Sequence, residues 1–477
     1  MSTTELRAHT IVNHHATVLA GETLEAFRRQ LHGELLTPVS AGYDEARAVW
    51  NGMINRHPAL IVRCAHVDDV IHAVNFAREQ RLLTAVRGGG HNVTGNAVCD
   101  GGLVIDLSPM KDIHVDPAAR TARAGGGVTW GELDRQTQVH GLATPGGVVS
   151  TTGIAGLTLG GGLGWLRRKY GLSCDNLLSV ELVTADGRLL TASATENPEL
   201  FWAVRGGGGN FGVVTSFEYR LHPVGSELMF CFVLYPAAIA REVLRAYRAF
   251  AASAPDEISS FAILGTVPAA PDFPEAIHGE PYLLLAACHA GPVNEGQRAL
   301  QPLRELGTPL VDLSAPTAYT EIQSVLDGDY PAGELNYYWK SLYLRDLDDA
   351  AIDRLMELAA ARPSPLSTVD IWQLGGAMGR VAPGDTAVGG REAPFLLGVE
   401  ANWEDPGENA ANIAWTRRVC AEMAGFSSGE SYLNFQEPGD EFVRSAHRAH
   451  YQRLAELKKR HDPDNLFRLN PNIQPGE

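Results

Sequence analysis

Cysteine is scarce and unpatterned: six residues in 477 (Cys64, Cys99, Cys174, Cys231, Cys288 and Cys420), with no CxxC pair and no metal-ligand spacing. A zinc site built on thiolates is therefore excluded, and a chain of this length needs no disulfide framework. Long apolar runs are missing too, none approaching the roughly 18 residues of a membrane span. The opening MSTTELRAHTIVNHHATVLAG lacks the basic head and unbroken apolar core of a secretory leader, so a cytoplasmic protein with reduced thiols is expected. Positive charge is in deficit, at a net −17, which argues against nucleic acid or an anionic membrane as partner. The histidines do not cluster as ligands, and no metal is expected. A GxxxxGK[ST] loop is absent, which disfavours a P-loop nucleotide enzyme.

Glycine is abundant, at 50 residues, and it concentrates between 86 and 215 in VRGGGHNVTG, GIAGLTLGGGLG and RGGGGNFGVVT. Glycine runs are entropically costly and persist where backbone must approach a ligand closely. Three such loops at strand ends point to a large phosphate-bearing cofactor, because bare backbone N–H groups converge on phosphate. A nicotinamide reading is disfavoured, since the first loop is followed by another strand with no clear helix between. His91 closes that loop as surface decoration, as an orienting group, or as a residue that acts on the ligand.

The length calls for two or three domains. ETLEAFRRQL has helical spacing, ALIVRC reads as a strand, and Val67–Arg81 as an amphipathic helix. LLTAV leads into the first glycine loop, and GGLVIDLS and TARAG are expected to continue the same sheet. Thr129 and Glu132 form a capping box. LLSVELVTADGRLLTAS is a hairpin turning at Asp186-Gly187. Beyond Pro223 the glycine loops thin out. Strand-like runs such as LMFCFVLYP, YYWKSLYL, TVDIWQLGGA and FLLGVEANW alternate with helices such as DDAAIDRLMELAAARP, the pattern of an α+β domain on a mostly antiparallel sheet. A strand-like YLNF follows at 432–435, then a helix from about Asp440 to Arg460, closed by Pro463.

VRGGGHNVTG, ARAGGGVTWGEL, GIAGLTLGGGLG, YGLSCDN and RGGGGNFGVVT together resemble the FAD-binding half of the vanillyl-alcohol-oxidase and p-cresol-methylhydroxylase flavoproteins. Within that superfamily the match is to the berberine-bridge-enzyme-like oxidases, whose C-terminal signature YLNF, DPDNLF and NPNI also resemble. The resemblance runs over nearly the whole chain. It implies an α+β two-domain FAD-binding fold: residues 1–223 and a closing segment 426–477 hold FAD, and an inserted substrate domain spans 224–425.

The resemblance also implies that His91 is joined through a ring nitrogen to the 8α-methyl carbon of FAD, with Arg87, Gly88, Gly89, Gly90, Asn92 and Gly95 shaping its loop. Thr151, Thr152, Gly153, Gly156, Gly161, Gly162 and Gly164 belong to the second cofactor segment. Gly171, Asp175 and Asn176 belong to the next, and Gly212, Val213 and Val214 to the third glycine loop. Tyr432 and Asn434 are implied beside the isoalloxazine. Relatives with a second, cysteinyl link carry C-P-x-V-G where this chain has Val149 to Gly153, so one covalent bond is expected. Thr152 stands where a side chain governs oxygen access, and its Val-like shape suits an oxidase.

Flavin oxidation also needs a group to accept the substrate's O–H or N–H proton. Many relatives use a tyrosine where this chain has Phe435, which cannot act as a base. Glu400 is the leading replacement, sharing a strand face with Leu396, Gly398 and Asn402; the alternative is a solvated carboxylate at a strand edge. Tyr338 and Lys340, on one face of YYWKSL, and Gln373 are further wall candidates, with Tyr432. The expected activity is oxidation of a small alcohol, amine or heterocycle, with molecular oxygen as acceptor and hydrogen peroxide as product. The alternatives are a flavin dehydrogenase with another acceptor and a flavin-bearing accessory protein without turnover.

Overall fold

Five sheets, three of them of four strands or more, organise the described residues, and the loops at their ends build the site. The computed structural model describes residues 6–10, 16–435 and 440–476. Near the N-terminus, short strands Leu6–His9 and Ala16–Leu19 pair with each other. A four-stranded sheet then runs in the order Glu34–Leu36, Leu60–Arg63, Leu103–Asp106, Thr84–Arg87, its last three strands parallel. The helix Val67–Glu79 supplies the crossover that parallel strands require, burying Val70, Ala73, Val74 and Ala77 on one stripe.

The strand Thr121–Gly125 does not join this sheet, contrary to the sequence expectation. It lies in a separate five-stranded antiparallel sheet, between Val213–Arg220 and Ile113–Asp116. Alternation alone cannot tell which neighbour a short strand will choose. The same sheet holds the hairpin of Leu177–Val183 with Leu189–Ser193, whose turn includes Asp186 and Gly187. The helix Trp130–Gln138 starts at Thr129, where the Glu132 carboxylate accepts from the Thr129 N–H at 2.8 Å.

Residues 227–403 form an eight-stranded antiparallel sheet. Its central order is Glu227–Pro236, Pro281–His289, Ile258–Thr266, Thr368–Gln373, Phe395–Trp403, Asn336–Leu344. One face carries Tyr338, Leu344, Ile371, Leu397, Val399 and Ala401 in a core shared with the helices Ala240–Ser253, Asp349–Ala360 and Asn409–Met423. The other face carries Phe261, Tyr337, Trp372 and Leu396, packed on the glycine-rich segments. Because side chains alternate, a residue's parity along these strands decides whether it meets a helix or the site.

Arg167 joins the two parts. It is fully buried and donates to the carbonyls of Gly164 (2.9 Å), Gln373 (2.8 Å) and Ser260 (2.5 Å). Burial pushes its pKa down to about 9, the cost of holding a guanidinium on carbonyls alone.

The C-terminal segment docks back on the third glycine loop. Buried Lys458 donates to Asp462 (2.6 Å) and to the carbonyls of Asn210 and Phe467, while Asn210 exchanges hydrogen bonds with Pro471 and Ile473. Tyr432 to Phe435 form a turn rather than the expected strand, and the expected single helix divides into Asp440–His447 and Tyr451–His461. Among the described residues no helix is long and apolar enough to cross a membrane.

Candidate active site

The first glycine loop leaves the C-terminal end of the parallel strand Thr84–Arg87, the usual ligand edge of such sheets. The N–H groups of Gly88, Gly89, Gly90, His91 and Asn92 donate to no acceptor among the described residues. Five consecutive unclaimed amides beside a cavity make an anion-receiving concavity. Gly89 meets Gly153 backbone to backbone: a Cβ on either would fall 2.4 Å from the other's nitrogen. That contact seats the second glycine segment against the first, and Gly153, Gly156 and Gly160 line the same cavity as Gly88 to Gly90.

His91 projects between these segments. Its Nε2 lies 2.8 Å from the Thr151 hydroxyl and its Nδ1 3.4 Å from that of Thr152. Its ring stacks on Trp50 at 4.9 Å, and Trp50 stacks in turn on Tyr337 at 3.7 Å. Burial pushes the imidazole pKa down to about 4, so the ring is neutral near pH 7 and keeps a lone pair on one nitrogen.

Beyond His91 the cavity opens into an aromatic box. Trp339, Trp372 and Phe435 line it, Phe435 standing edge-on to the other two at 5.5 and 6.2 Å, and Tyr330 stands edge-on to Trp339 at 5.3 Å. Asp370 and Glu400 line the same space and are almost wholly buried. The Tyr330 hydroxyl donates to Glu400 Oε2 at 2.7 Å. Burial first, and then the neighbouring Asp370 carboxyl, hold the Glu400 pKa well above the carboxylate range; burial raises that of Asp370 as well. Register explains the pairing: Glu400 lies opposite Trp339 and Thr368, while Asp370 lies opposite Gly398. A Cβ on Gly398 would sit 3.4 Å from Glu400 Oε1 and 3.5 Å from both Asp370 Cβ and the Phe435 ring. The bare glycine leaves the two acids and the ring their common space.

Many of the residues singled out from the sequence meet at this cavity: Gly88, Gly89, Gly90, His91, Asn92, Thr152, Gly153, Gly156, Gly212, Val213, Val214, Glu400, Tyr432 and Asn434. Tyr432 accepts hydrogen bonds from the Gly162 and Leu163 amides and from Asn434 Nδ2. Others stand behind the wall. Arg87 holds the Ala46 carbonyl, Gly95 packs on Ile54, and Gly161, Gly162, Gly164 and Gly171 shape turns. Asp175 forms a two-toothed ion pair with Arg391 (2.6 and 3.0 Å), and Asn176 ties down the carbonyls of Tyr170 and Leu172.

Three expected wall residues face the other way. Tyr338 lies in the helix-covered core, where Arg417 Nε donates to its hydroxyl at 3.0 Å, and Lys340 shares its parity. Gln373 is bound to Ser260 and the Ala251 carbonyl. Each is one residue out of phase with the site, next to Trp339 or Trp372. Asp370 was legible as the i−2 partner of Trp372 once the right face was chosen. Trp50 and Tyr330 carry no sequence signal, because chain segments 280 residues apart bring them together: Trp50 Nε1 donates to the Tyr330 carbonyl at 2.9 Å. Val149 lines the cavity, and none of the six buried cysteines does.

The fold and cavity are those of a protein built around a large phosphate-bearing cofactor. Comparison with known proteins names its class. Residues 58–193 match the FAD binding domain model, and 431–474 the model for berberine and berberine-like proteins. (R)-6-hydroxynicotine oxidase of Paenarthrobacter nicotinovorans is 33% identical over 93% of this chain and 97% of its own. An uncharacterised FAD-linked oxidoreductase of Bacillus subtilis, YgaK, is 32% identical over 94% and 98%. The crystal structure of 6-hydroxy-D-nicotine oxidase from Arthrobacter nicotinovorans superposes with a TM-score of 0.82 at 31% identity, covering 94% of this chain and 98% of that one. Chitooligosaccharide oxidase shares the fold, with a TM-score of 0.83 at 22% identity over 95% and 100%. The chain belongs to the berberine-bridge-enzyme-like FAD-linked oxidoreductases, and its fold is their two-domain α+β fold.

Proposed function

We propose that the protein is an oxidase of a small organic alcohol, amine or heterocycle, with FAD joined to His91 and oxygen reduced to hydrogen peroxide. The observation that carries this reading is His91, neutral and backed by Trp50, in the same cavity as the Glu400–Tyr330 pair. In this reading residues 1–223 and 426–477 hold the cofactor and 224–425 supply the substrate box.

The unclaimed amides of Gly88 to Asn92 receive the cofactor's phosphates, and the cradle of Gly89, Gly153 and Gly156 leaves no side chain in the way. When bound, FAD supplies a two-electron acceptor. Thr151 and Thr152 hold the two ring nitrogens of His91 and thereby select its tautomer. A neutral imidazole nitrogen fixed in contact is a competent nucleophile toward an electrophilic carbon. Val149 supplies no thiol, so a single link is proposed. Trp339, Trp372 and Phe435 clamp a flat substrate and exclude water, and the Asp370–Glu400 pair, with Tyr330 hydrogen-bonded to Glu400, takes the substrate's O–H or N–H proton. The small Thr152 leaves room for oxygen, and the name of one relative, hydroxynicotine oxidase, agrees with that acceptor.

Acid precipitation of the purified protein tests the link. The expected result is yellow colour in the pellet and a flavin-modified peptide carrying His91; colour wholly in the supernatant, with an unmodified His91 peptide, refutes it. Anaerobic reduction by a substrate, followed by air, tests the acceptor. Rapid reoxidation with one peroxide per flavin is expected, and slow reoxidation favours a dehydrogenase.

A further inference from the structure

Among the described residues that line the cavity, Asp370 and Glu400 are acids and none is a lysine or arginine. Among the described residues Glu400 accepts from the Tyr330 hydroxyl alone, and Asp370 Oδ1 is buried with no partner. Among the described residues no lysine, arginine or histidine forms an ion pair with either carboxyl. The Arg167 guanidinium stands 5.3 Å from the Trp372 ring and is taken up by three backbone carbonyls. Burying carboxyl groups without a counter-charge is expensive, and a cationic ligand would offset that cost. The faces of Trp339 and Trp372 and the ring of Phe435 supply the other half of a cation site, since aromatic quadrupoles attract ammonium.

We propose that the substrate enters as an ammonium monocation, held between the aromatic walls and the Asp370–Glu400 pair, and that this pair removes its proton before oxidation. The pair meets the cation with one proton and one negative charge. An N–H bond of the ammonium breaks and an O–H bond forms on Asp370, at the unpartnered Oδ1. The pair then carries two protons and no charge, and the nitrogen regains its lone pair, from which cleavage of the neighbouring C–H bond draws. The hydride of that later step, with its electron pair, would go to FAD, and for its fate alone the inference rests on the oxidase reading. Gly398 is part of the device, because a side chain there would stand between the two acids.

Calorimetric titration of the purified holoenzyme with N-methylbenzylamine and with benzyl methyl ether, equal in shape but differing in charge, provides the test. The amine is expected to bind at least tenfold more tightly. Asp370→Asn and Glu400→Gln, both near-isosteric, should each erase most of that preference and leave ether binding within about twofold. Equal affinities in the native enzyme, or no binding of the amine, overturn the inference. A preference for the amine that survives in both variants overturns it too. Bleaching of the flavin by neutral alcohols or sugars, with amine and ether bound alike, also overturns it while leaving the oxidase reading intact. Selective amine binding by a protein whose flavin no amine reduces upholds the cation site and removes the oxidase reading.

Discussion

Gly89 and Gly153 touch through their backbones: a Cβ built on Gly153 would stand 2.4 Å from the nitrogen of Gly89 and 2.7 Å from its Cα. Gly153→Ala must therefore force apart the two loops between which His91 sits. Overpacking of this kind costs about 1–3 kcal/mol. The expected outcome is a folded protein with a lower melting temperature and most of its flavin lost on gel filtration, read from the visible-to-280 nm absorbance ratio.

Asp327 reaches from the 326–330 segment to the loop that carries Thr151 and Thr152, accepting from the Ser150 amide at 2.7 Å and its hydroxyl at 2.5 Å. Asp327→Ala frees that loop, and with it the hydroxyls that orient the His91 ring. Attachment of flavin to apoprotein should slow on the order of tenfold, since a small misplacement of a nucleophile has effects of this size. Flavin fluorescence of denatured samples taken over time checks it. Thr151→Val should reproduce the effect in milder form.

Parity on the strand Asn336–Leu344 gives a paired prediction. Tyr338→Phe removes a hydroxyl that accepts from Arg417 in the helix-covered core, and should cost about 1 kcal/mol of stability without changing KM. Trp339→Leu, one residue on, removes a wall of the box and should raise KM tenfold or more with little effect on the melting temperature. A change of KM in Tyr338→Phe would place the site on the wrong face.

Buried histidines set the acid limit. Burial pushes the pKa of His447 down from 6.5 to about 4, so the folded state refuses a proton that the unfolded chain accepts. Stability on this account is fully present above about pH 6.5 and falls as the pH drops toward 4, by about 2 kcal/mol at pH 5. Denaturant unfolding at pH 7 and at pH 5 should show that loss, and His447→Gln should remove about that much of it, whatever the variant costs at neutral pH.

How much was legible beforehand follows from how local each signal is. The hairpin at Asp186-Gly187, the cap at Thr129 and the helix after Val67 depend on neighbours within a few residues, and each forms as read. The strand Thr121–Gly125 was assigned to the wrong sheet because partner choice is settled by distant residues. The 432–435 turn looked like a strand because YLNF is rich in aromatic and apolar residues, but the Tyr432 side chain is held by the Gly162 and Leu163 amides rather than by a ladder.

The site divides the same way. Glycine spacing, His91 and the acidic Glu400 were determined by the sequence, because a bare loop and an ionisable residue of fixed parity carry their meaning in the local chain. The tertiary structure alone decided which face of the large sheet meets the cavity, and so replaced Tyr338, Lys340 and Gln373 with Trp339, Asp370 and Trp372. It alone brought Trp50 onto His91 and Tyr330 onto Glu400. The reason is physical: alternation along a strand defines two faces but not which one is covered by helices, and contacts between segments hundreds of residues apart arise from packing that no local pattern records.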